Sequence, residues 1–176
     1  MIEAIKPFMD GLKNAEQIKS NIDNLSKINL DKLSPFTKEV NTRNQSLEGT
    51  SHPETGVSFE RERVKTGVFE KKEGVFARFD SKYDCNLPKE LHKASDKEQF
   101  ENCNTQLKES VNNDSQLRNS FSKEQIEQIN SGVTPRGYTW HHDSAKGKMQ
   151  LVDTDIHAKT AHTGGKAIWG GGSENR

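Results

Sequence analysis

The sequence predicts an α+β fold, on three observations taken in chain order. Apolar residues recur every three, four or seven positions between Ile2 and Ile28, a spacing typical of amphipathic helices. From Val57 the pattern changes to short strand-like pieces, and a helical stretch follows them. From about residue 134 the pattern indicates a strand, a loop, a second strand and a helix. We therefore expect an N-terminal helical segment, a small mixed region of strands and helices, and a C-terminal strand–strand–helix unit.

The N-terminal helical segment is predicted to span residues 1–40. Pro35 and the polar run that follows it interrupt the apolar stripe. Turn-forming residues dominate this run, so we expect an exposed linker at 41–56 that contains a domain boundary. The second and larger domain is then predicted to span 57–176.

The first part of this larger domain alternates apolar and charged residues. The runs VSFERERV and GVFEKKEGVFARF predict a β-hairpin. Residues 88–131 then favour helices, and Ser122 stands three residues before Gln125, which is the spacing of a capping box. The polar run NNDSQLRN between the helical parts is predicted to be a loop.

The composition of the chain excludes several classes of function. The chain has 26 basic and 26 acidic residues, so it is not a polycation that coats nucleic acid by charge alone. No window approaches the roughly 18 consecutive apolar residues that a membrane span needs. The first residues lack the basic and apolar regions of a conventional secretory signal, so we expect any export to use another route. Cys85 and Cys103 are expected to be reduced thiols, with a single disulfide as the alternative.

Histidines are concentrated in the C-terminal unit, where four of the six lie: His141, His142, His157 and His162. Neutral imidazole acts as a general base near neutral pH and is also a common metal ligand. Hydrolysis of a phosphodiester uses both, because a base must activate water and a cation must neutralise charge on the leaving oxygen. Since neighbouring strand residues point to opposite faces, we expect one of His141 and His142 to be a ligand and the other the base.

His162 raises a question of helix geometry. It lies five residues after His157, which is about 140° further round an α-helix. It can therefore join the same metal only if the helix ends before it, and Gly164 and Gly165 favour such an end. The alternative is that His162 caps the C-terminus of the helix. Asp153 is the predicted N-cap of this helix.

Basic side chains in the C-terminal unit are candidates for contacts with phosphate groups. They are Arg136, Lys146, Lys148, Lys159 and Lys166. For each of them taken singly, an ordinary solvated face is the default interpretation. Trp140 and Trp169 are expected to pack in the core of the unit rather than to stack on bases.

The run GYTWHHDSAKGKMQLVDTDIHAKTAHTGGKAIWGGG resembles the WHH branch of the HNH/endonuclease VII (His-Me finger) nucleases. It is similar in particular to the C-terminal toxin domains of LXG-type proteins, which type VII secretion systems of Gram-positive bacteria export. The likeness is strongest over Thr134–Gly172, and a looser likeness reaches back to about residue 41. It implies a ββα-metal (His-Me) finger at about 134–172.

The resemblance also implies roles for individual residues. His142 is the implied general base, and His141 and His157 are the implied ligands of a divalent metal. In the HNH pattern an Asn stands nine residues before the helix histidine, and here that position is Lys148. Either Gln150 takes over its task or this branch manages without it. Mg²⁺ is the expected metal, with Mn²⁺ and Zn²⁺ as alternatives.

The histidines and the resemblance together predict a metal-dependent, largely sequence-nonspecific endonuclease that acts on DNA as an antibacterial toxin. The alternatives are an RNase of the same family and a zinc-stabilised interaction module that cuts nothing. The resemblance further implies a cognate immunity protein, and the N-terminal helices are candidates for docking a secretion chaperone. It implies secretion by a type VII system and action in the target-cell cytoplasm. In the producer we expect a cytoplasmic form bound to the immunity protein.

Overall fold

The structure is a computed structural model that describes residues 36–67 and 70–172. Within these residues it is a mixed α+β fold of six strands and five α-helices, which confirms the predicted class. The strands are β1 (Phe36–Glu39), β2 (Ser58–Lys65), β3 (Glu70–Arg78), β4 (Ser81–Asn86), β5 (Tyr138–His142) and β6 (Lys148–Asp153). The helices are α1 (Asp96–Asn113), α2 (Ser115–Asn119), α3 (Lys123–Asn130), α4 (Thr154–Thr160) and α5 (Lys166–Trp169). The helices predicted before residue 36 lie outside the described residues.

The described strands form two three-stranded sheets. The first has the order β1–β3–β2, and its β2–β3 pair is the predicted antiparallel hairpin. The second has the order β4–β6–β5, and both of its pairs are antiparallel. In the second sheet Trp140 stands opposite Leu151, and Met149 stands opposite Cys85.

Helix α1 covers one face of the second sheet. It begins with a capping box, in which the Ser95 hydroxyl accepts from the Glu98 N–H and the Glu98 carboxylate accepts from the Ser95 N–H. Its buried stripe contains Cys103, Leu107 and Val111, spaced four residues apart. This stripe shares one hydrophobic cluster with sheet residues that include Trp140, Met149 and Leu151.

A second hydrophobic cluster joins the two sheets, and Phe59, Val75, Phe79 and Val152 belong to it. Because side chains alternate along a strand, β6 sends Met149 and Leu151 to one cluster and Val152 to the other. The second sheet therefore lies between α1 and the first sheet. A strand in this position presents its successive residues to two different environments.

The stretch 41–56, which the sequence predicts to be a linker, lies inside the compact unit Thr37–Arg176. It contains a short 3₁₀-helix at Gln45–Leu47, and isolated bridges join its backbone to β2. One of its contacts with β2 is the bond from the Phe59 N–H to the Thr50 carbonyl, at 2.9 Å. Its turn residues are largely exposed as expected, but their backbone groups bond to the sheet.

The predicted loop NNDSQLRN is wrong, because α1 runs to Asn113 and α2 begins at Ser115, so that Asp114 alone separates the two helices. The reason is local, since the Asp114 carboxylate accepts from the N–H groups of Gln116 and Leu117 and so caps a new helix. The capping box at Ser122 is confirmed.

Cys85 and Cys103 are buried free thiols. In the described ranges, no helix has both the length and the apolar character needed to span a bilayer.

Candidate metal centre

Three histidines from separate parts of the C-terminal unit meet in space. His141 lies on β5, His157 lies on α4, and His162 follows α4. Nδ1 of His141 is 3.3 Å from Nε2 of His157 and 3.1 Å from Nε2 of His162. One ligand atom from each residue lies within 4.8 Å of the other two. Nitrogens bound to one tetrahedral Zn²⁺ at about 2.0–2.1 Å would be roughly 3.3–3.4 Å apart, so these atoms have the spacing of metal ligands.

The two ends of α4 place His157 and His162 beside each other. At the start, the Asp153 carboxylate accepts from the N–H groups of Asp155 and Ile156, so the helix begins directly after β6. At the end, Ala161 adopts the left-handed conformation with φ 50°. The helix therefore ends before His162, and this end is needed for His162 to reach the same site as His157. The end also comes earlier than the predicted stop at Gly164–Gly165.

A residue of the predicted linker supports this helix end. The side-chain amide of Asn44 donates to the carbonyl oxygens of Thr160 at 3.0 Å and Ala161 at 2.9 Å. These carbonyls have no partner within a helix that stops here, so the Asn44 amide satisfies them. The stretch before β2 therefore contributes directly to the geometry of the histidine cluster.

The surroundings of the cluster keep its imidazoles neutral. The Phe79 ring packs at 4.8, 5.3 and 4.8 Å from the rings of His141, His157 and His162. Burial lowers the pKa of His141 well below its ordinary value, and the neighbouring histidines add to the effect. Burial also lowers the pKa of His157, and burial with His157 and Arg43 lowers the pKa of His162 to about 4. Neutral imidazole is the form that binds metal, so the site is prepared for a cation.

The second ring nitrogen of His162 faces away from this contact with His141. Nδ1 of His162 is buried and has no hydrogen-bond partner among the described residues. Buried polar atoms normally have partners, because leaving one unpaired costs about 1–3 kcal/mol.

His142 occupies the opposite face of β5, as the alternation along a strand predicts. Its Nε2 lies 2.7 Å from Oε1 of Gln99 on α1, and its ring contacts those of Phe100 and Trp169. Although it is only 8% exposed, it lines the same cleft as the three clustered histidines. That cleft has a volume of about 490 Å³.

The side chains around His142 were not predicted from the sequence. Nζ of Lys166 lies 2.7 Å from Oδ1 of Asp96 and 3.1 Å from Oε1 of Gln99. Lys166, expected to contact phosphate, is therefore buried in an ion pair at the wall of the cleft. The sequence did contain an indication of the role of Gln99, because this polar residue stands four residues before Cys103 on the buried stripe of α1. An amide at such a position indicates a buried polar contact.

The predicted residues of β6 make contacts with β4. Lys148 Nζ lies 3.0 Å from Oδ2 of Asp84, and the Gln150 amide donates to Oδ1 of the same residue at 3.3 Å. Gln150 is also the cross-strand neighbour of His141 in the register of the sheet. Neither Lys148 nor Gln150 lines the cleft.

The other basic candidates lie outside the cleft lining. Arg136 is highly exposed and 3.8 Å from a carboxylate oxygen of Glu124. Lys146 donates to the carbonyl of Thr66, and Lys159 lies 3.7 Å from Glu54. Trp140 and Trp169 are buried, as predicted, and their indole N–H groups bond to Asn104 and to the Asp143 carbonyl.

Comparison with known proteins indicates the family to which the chain belongs. A family model for the DNase/tRNase domain of colicin-like bacteriocins matches residues 68–164, which is more than half of the chain. The matched segment contains all four histidines of the cleft. No curated protein matches the chain significantly, and no solved structure does. The chain therefore belongs to the family of DNase/tRNase domains of colicin-like bacteriocins and is a nuclease toxin domain.

Proposed function

We propose that this protein is a metal-dependent endonuclease of the HNH/endonuclease VII (His-Me finger) type that hydrolyses DNA as an antibacterial toxin. The observation that carries the proposal is the cleft, where three clustered imidazoles lie beside a fourth histidine in a different environment. The β5–β6 hairpin followed by α4 has the element order of a ββα-metal finger. Membership of the family supports a nucleic-acid substrate and a cognate immunity protein.

The proposed metal ligands are His141, His157 and His162. Three protein ligands leave room in the coordination sphere for water and a phosphate oxygen, as in catalytic metal sites. An all-imidazole donor set suits Zn²⁺ better than Mg²⁺ or Mn²⁺, which prefer oxygen donors. We therefore place Zn²⁺ ahead of the Mg²⁺ expected from the sequence.

The proposed base is His142, because it lines the cleft without belonging to the three-nitrogen cluster. It removes a proton from water, and the water oxygen forms a bond to phosphorus as the bond to the leaving sugar oxygen breaks. The bonding electron pair stays on that oxygen, which takes up a proton to become a hydroxyl. When bound, the metal supplies positive charge that stabilises the leaving oxygen.

DNA is the proposed substrate, and RNA is the second candidate because the family description names both DNases and tRNases. The basic side chains predicted to contact nucleic acid, Arg136, Lys146 and Lys159, are exposed cations of the type that bind phosphates. Phosphate contacts carry no sequence information, so we propose cleavage that is largely independent of sequence. The roles of these cations and of Lys148 and Gln150 stay predictions.

The test is digestion of supercoiled plasmid and of tRNA by the purified protein in Zn²⁺, Mn²⁺, Mg²⁺ or EDTA. Cleavage of plasmid is expected with metal and not with EDTA. His142→Ala should lower the rate by roughly 10²- to 10⁴-fold, the usual contribution of a general base. His52→Ala is the matched control, since this histidine lies outside the cleft lining and should be dispensable. Intact plasmid and intact tRNA in every metal would refute the proposal.

The cellular setting is proposed from the resemblance. We propose export by a type VII system as an LXG-type toxin, docking of a secretion chaperone on the N-terminal segment, and action in the target-cell cytoplasm. In the producer the immunity protein would hold the toxin inactive. Expression in the bacterial cytoplasm should be toxic for the wild type and tolerated for His142→Ala; equal toxicity of both would refute nuclease-based killing.

A further inference from the structure

The side-chain amide of Gln99 has one orientation that its neighbours allow. Its nitrogen lies 2.7 Å from the carbonyl oxygen of Leu91 and 3.1 Å from that of His92. Its oxygen lies 3.1 Å from the ammonium group of Lys166. Turning the amide over would set an oxygen against two carbonyls and an NH₂ against an ammonium, and would lose three hydrogen bonds in a buried site. The oxygen of Gln99 therefore stays directed towards β5.

This orientation determines which nitrogen of His142 carries hydrogen. Oε1 of Gln99 lies 2.7 Å from Nε2 of His142. A carbonyl oxygen accepts hydrogen bonds and cannot donate them, so Nε2 of His142 must be the donor. In a neutral imidazole the lone pair is then on Nδ1. A residue 43 positions earlier in the chain thus selects the tautomer of His142.

The neighbouring charges stabilise the same arrangement. The Lys166 ammonium contacts the Gln99 oxygen and Oδ1 of Asp96, and that carboxylate oxygen lies 3.8 Å from Nε2 of His142. Gln99 is fully buried and Lys166 is 6% exposed, so the contact between these two side chains is shielded from water. When His142 takes up a proton, the Asp96 carboxylate lies close enough to offset the new positive charge.

We propose that Gln99 is a positioning residue that holds His142 in the Nε2-protonated tautomer, so that Nδ1 is the nitrogen that accepts a proton from water. The catalytic half of this proposal rests on the proposed function of His142. The tautomer half does not, because it follows from the amide contacts alone.

Nitrogen-15 NMR of the histidine-labelled full-length protein tests the tautomer directly, with and without zinc chloride. The two ring nitrogens of a neutral histidine have well-separated shifts, and the His142 signals are those missing from His142→Ala. The wild type is expected to carry hydrogen on Nε2. Gln99→Met keeps the side-chain length but removes the acceptor, so it should shift His142 towards the Nδ1-protonated form. Gln99→Glu loses the donor to the Leu91 and His92 carbonyls but keeps an oxygen acceptor towards Nε2, so it should retain the wild-type tautomer.

The matched control is Gln106→Met on the same helix. The Gln106 amide donates to the carbonyl of Asn86 and to the side chain of Asn102. This variant removes side-chain amide bonds of α1 without touching His142, so the His142 signals should not change. A shift of these signals equal to that in Gln99→Met would indicate a general effect on α1 and would overturn the proposal.

The kinetic arm uses plasmid cleavage in the metal that supports it. Gln99→Met should lower kcat by roughly 10- to 100-fold with KM and zinc affinity unchanged, and Gln99→Glu should recover part of the loss. The proposal is overturned if wild-type His142 carries hydrogen on Nδ1, or if Gln99→Met leaves both tautomer and kcat unchanged. If no metal supports cleavage, the proposed function fails and the positioning role with it, whereas the NMR arm shows separately whether the tautomer assignment is correct.

Discussion

At the scale of single residues, burial of His162 in the histidine cluster is expected to make the stability of the protein depend on pH. His162 in the unfolded chain takes up a proton near its ordinary pKa of 6.5, but in the folded protein its pKa is lowered to about 4. Between these values the unfolded state binds more protons than the folded state does. The contribution of His162 to the free energy of unfolding of the metal-free protein is therefore fully present above pH 6.5. It falls as the pH is lowered towards 4.

We expect this loss to be on the order of 1–3 kcal/mol for His162. It is measured by urea unfolding in EDTA at pH 7.5, 5.5 and 4.5. His162→Gln removes the titrating ring, so its free energy of unfolding should fall less steeply than that of the wild type. His52→Gln, outside the cluster, is the control for replacing a histidine. Identical slopes for His162→Gln and the wild type would contradict the prediction.

At the scale of elements, the end of α4 decides where His162 lies. Ala161 adopts φ 50°, a conformation that costs an L-residue about 1–2 kcal/mol and that glycine adopts readily. Ala161→Gly should therefore stabilise the protein by about 1 kcal/mol, measured by thermal unfolding. Ala158→Gly, inside the same helix, is the matched control and should destabilise by about 1 kcal/mol. Destabilisation by both changes would show that the helix does not end at Ala161.

The approach of α5 to the end of β5 depends on Gly165. Its N–H donates to the carbonyl of His142 at 2.7 Å, and an added Cβ would collide with the Asp143 carbonyl oxygen and the Trp169 indole nitrogen. Gly165→Ala should thus destabilise the protein by about 1–3 kcal/mol, measured by urea unfolding. Gly67→Ala is the control, because its nearest contact is the Glu70 Cβ at 3.5 Å. Equal stability of the two variants would refute this close approach.

At the scale of the whole described unit, we expect the hydrophobic core to form without a metal. Two hydrophobic clusters pack on the second sheet, and the three clustered histidines contact the second of them at its edge, through Phe79. Chelation should therefore leave the fold intact in circular dichroism. Zinc at about 100 times its dissociation constant should add about 2.7 kcal/mol to the free energy of unfolding, seen as a rise in Tm.

The same experiment separates the nuclease from a zinc-stabilised interaction module. Such a module would lose its helical signal in EDTA, because its folding free energy would come from the metal. His157→Ala should remain folded but should no longer be stabilised by zinc. Unfolding of the wild type in EDTA would favour the interaction module.

Several elements could be predicted from the sequence because their signals are local. The β2–β3 hairpin follows from alternation, and the caps at Asp153 and Ser122 follow from side chains that bond a few residues away. The stretch 41–56 shows the limit of this approach. Its composition is that of a linker, but its backbone groups bond to β2, and Asn44 caps the end of α4.

The sequence by itself determined the local order of strand, loop, strand and helix, and the alternation that separates His141 from His142. It also carried the family likeness in the run around these histidines. Only the tertiary structure decided that Gln99, Asp96 and Lys166 surround His142 and that Phe79 packs beside the histidine cluster. The physical reason is that periodicity and capping depend on neighbours along the chain. The contacts of α1 and β3 with β5 depend instead on how distant segments fill one common core.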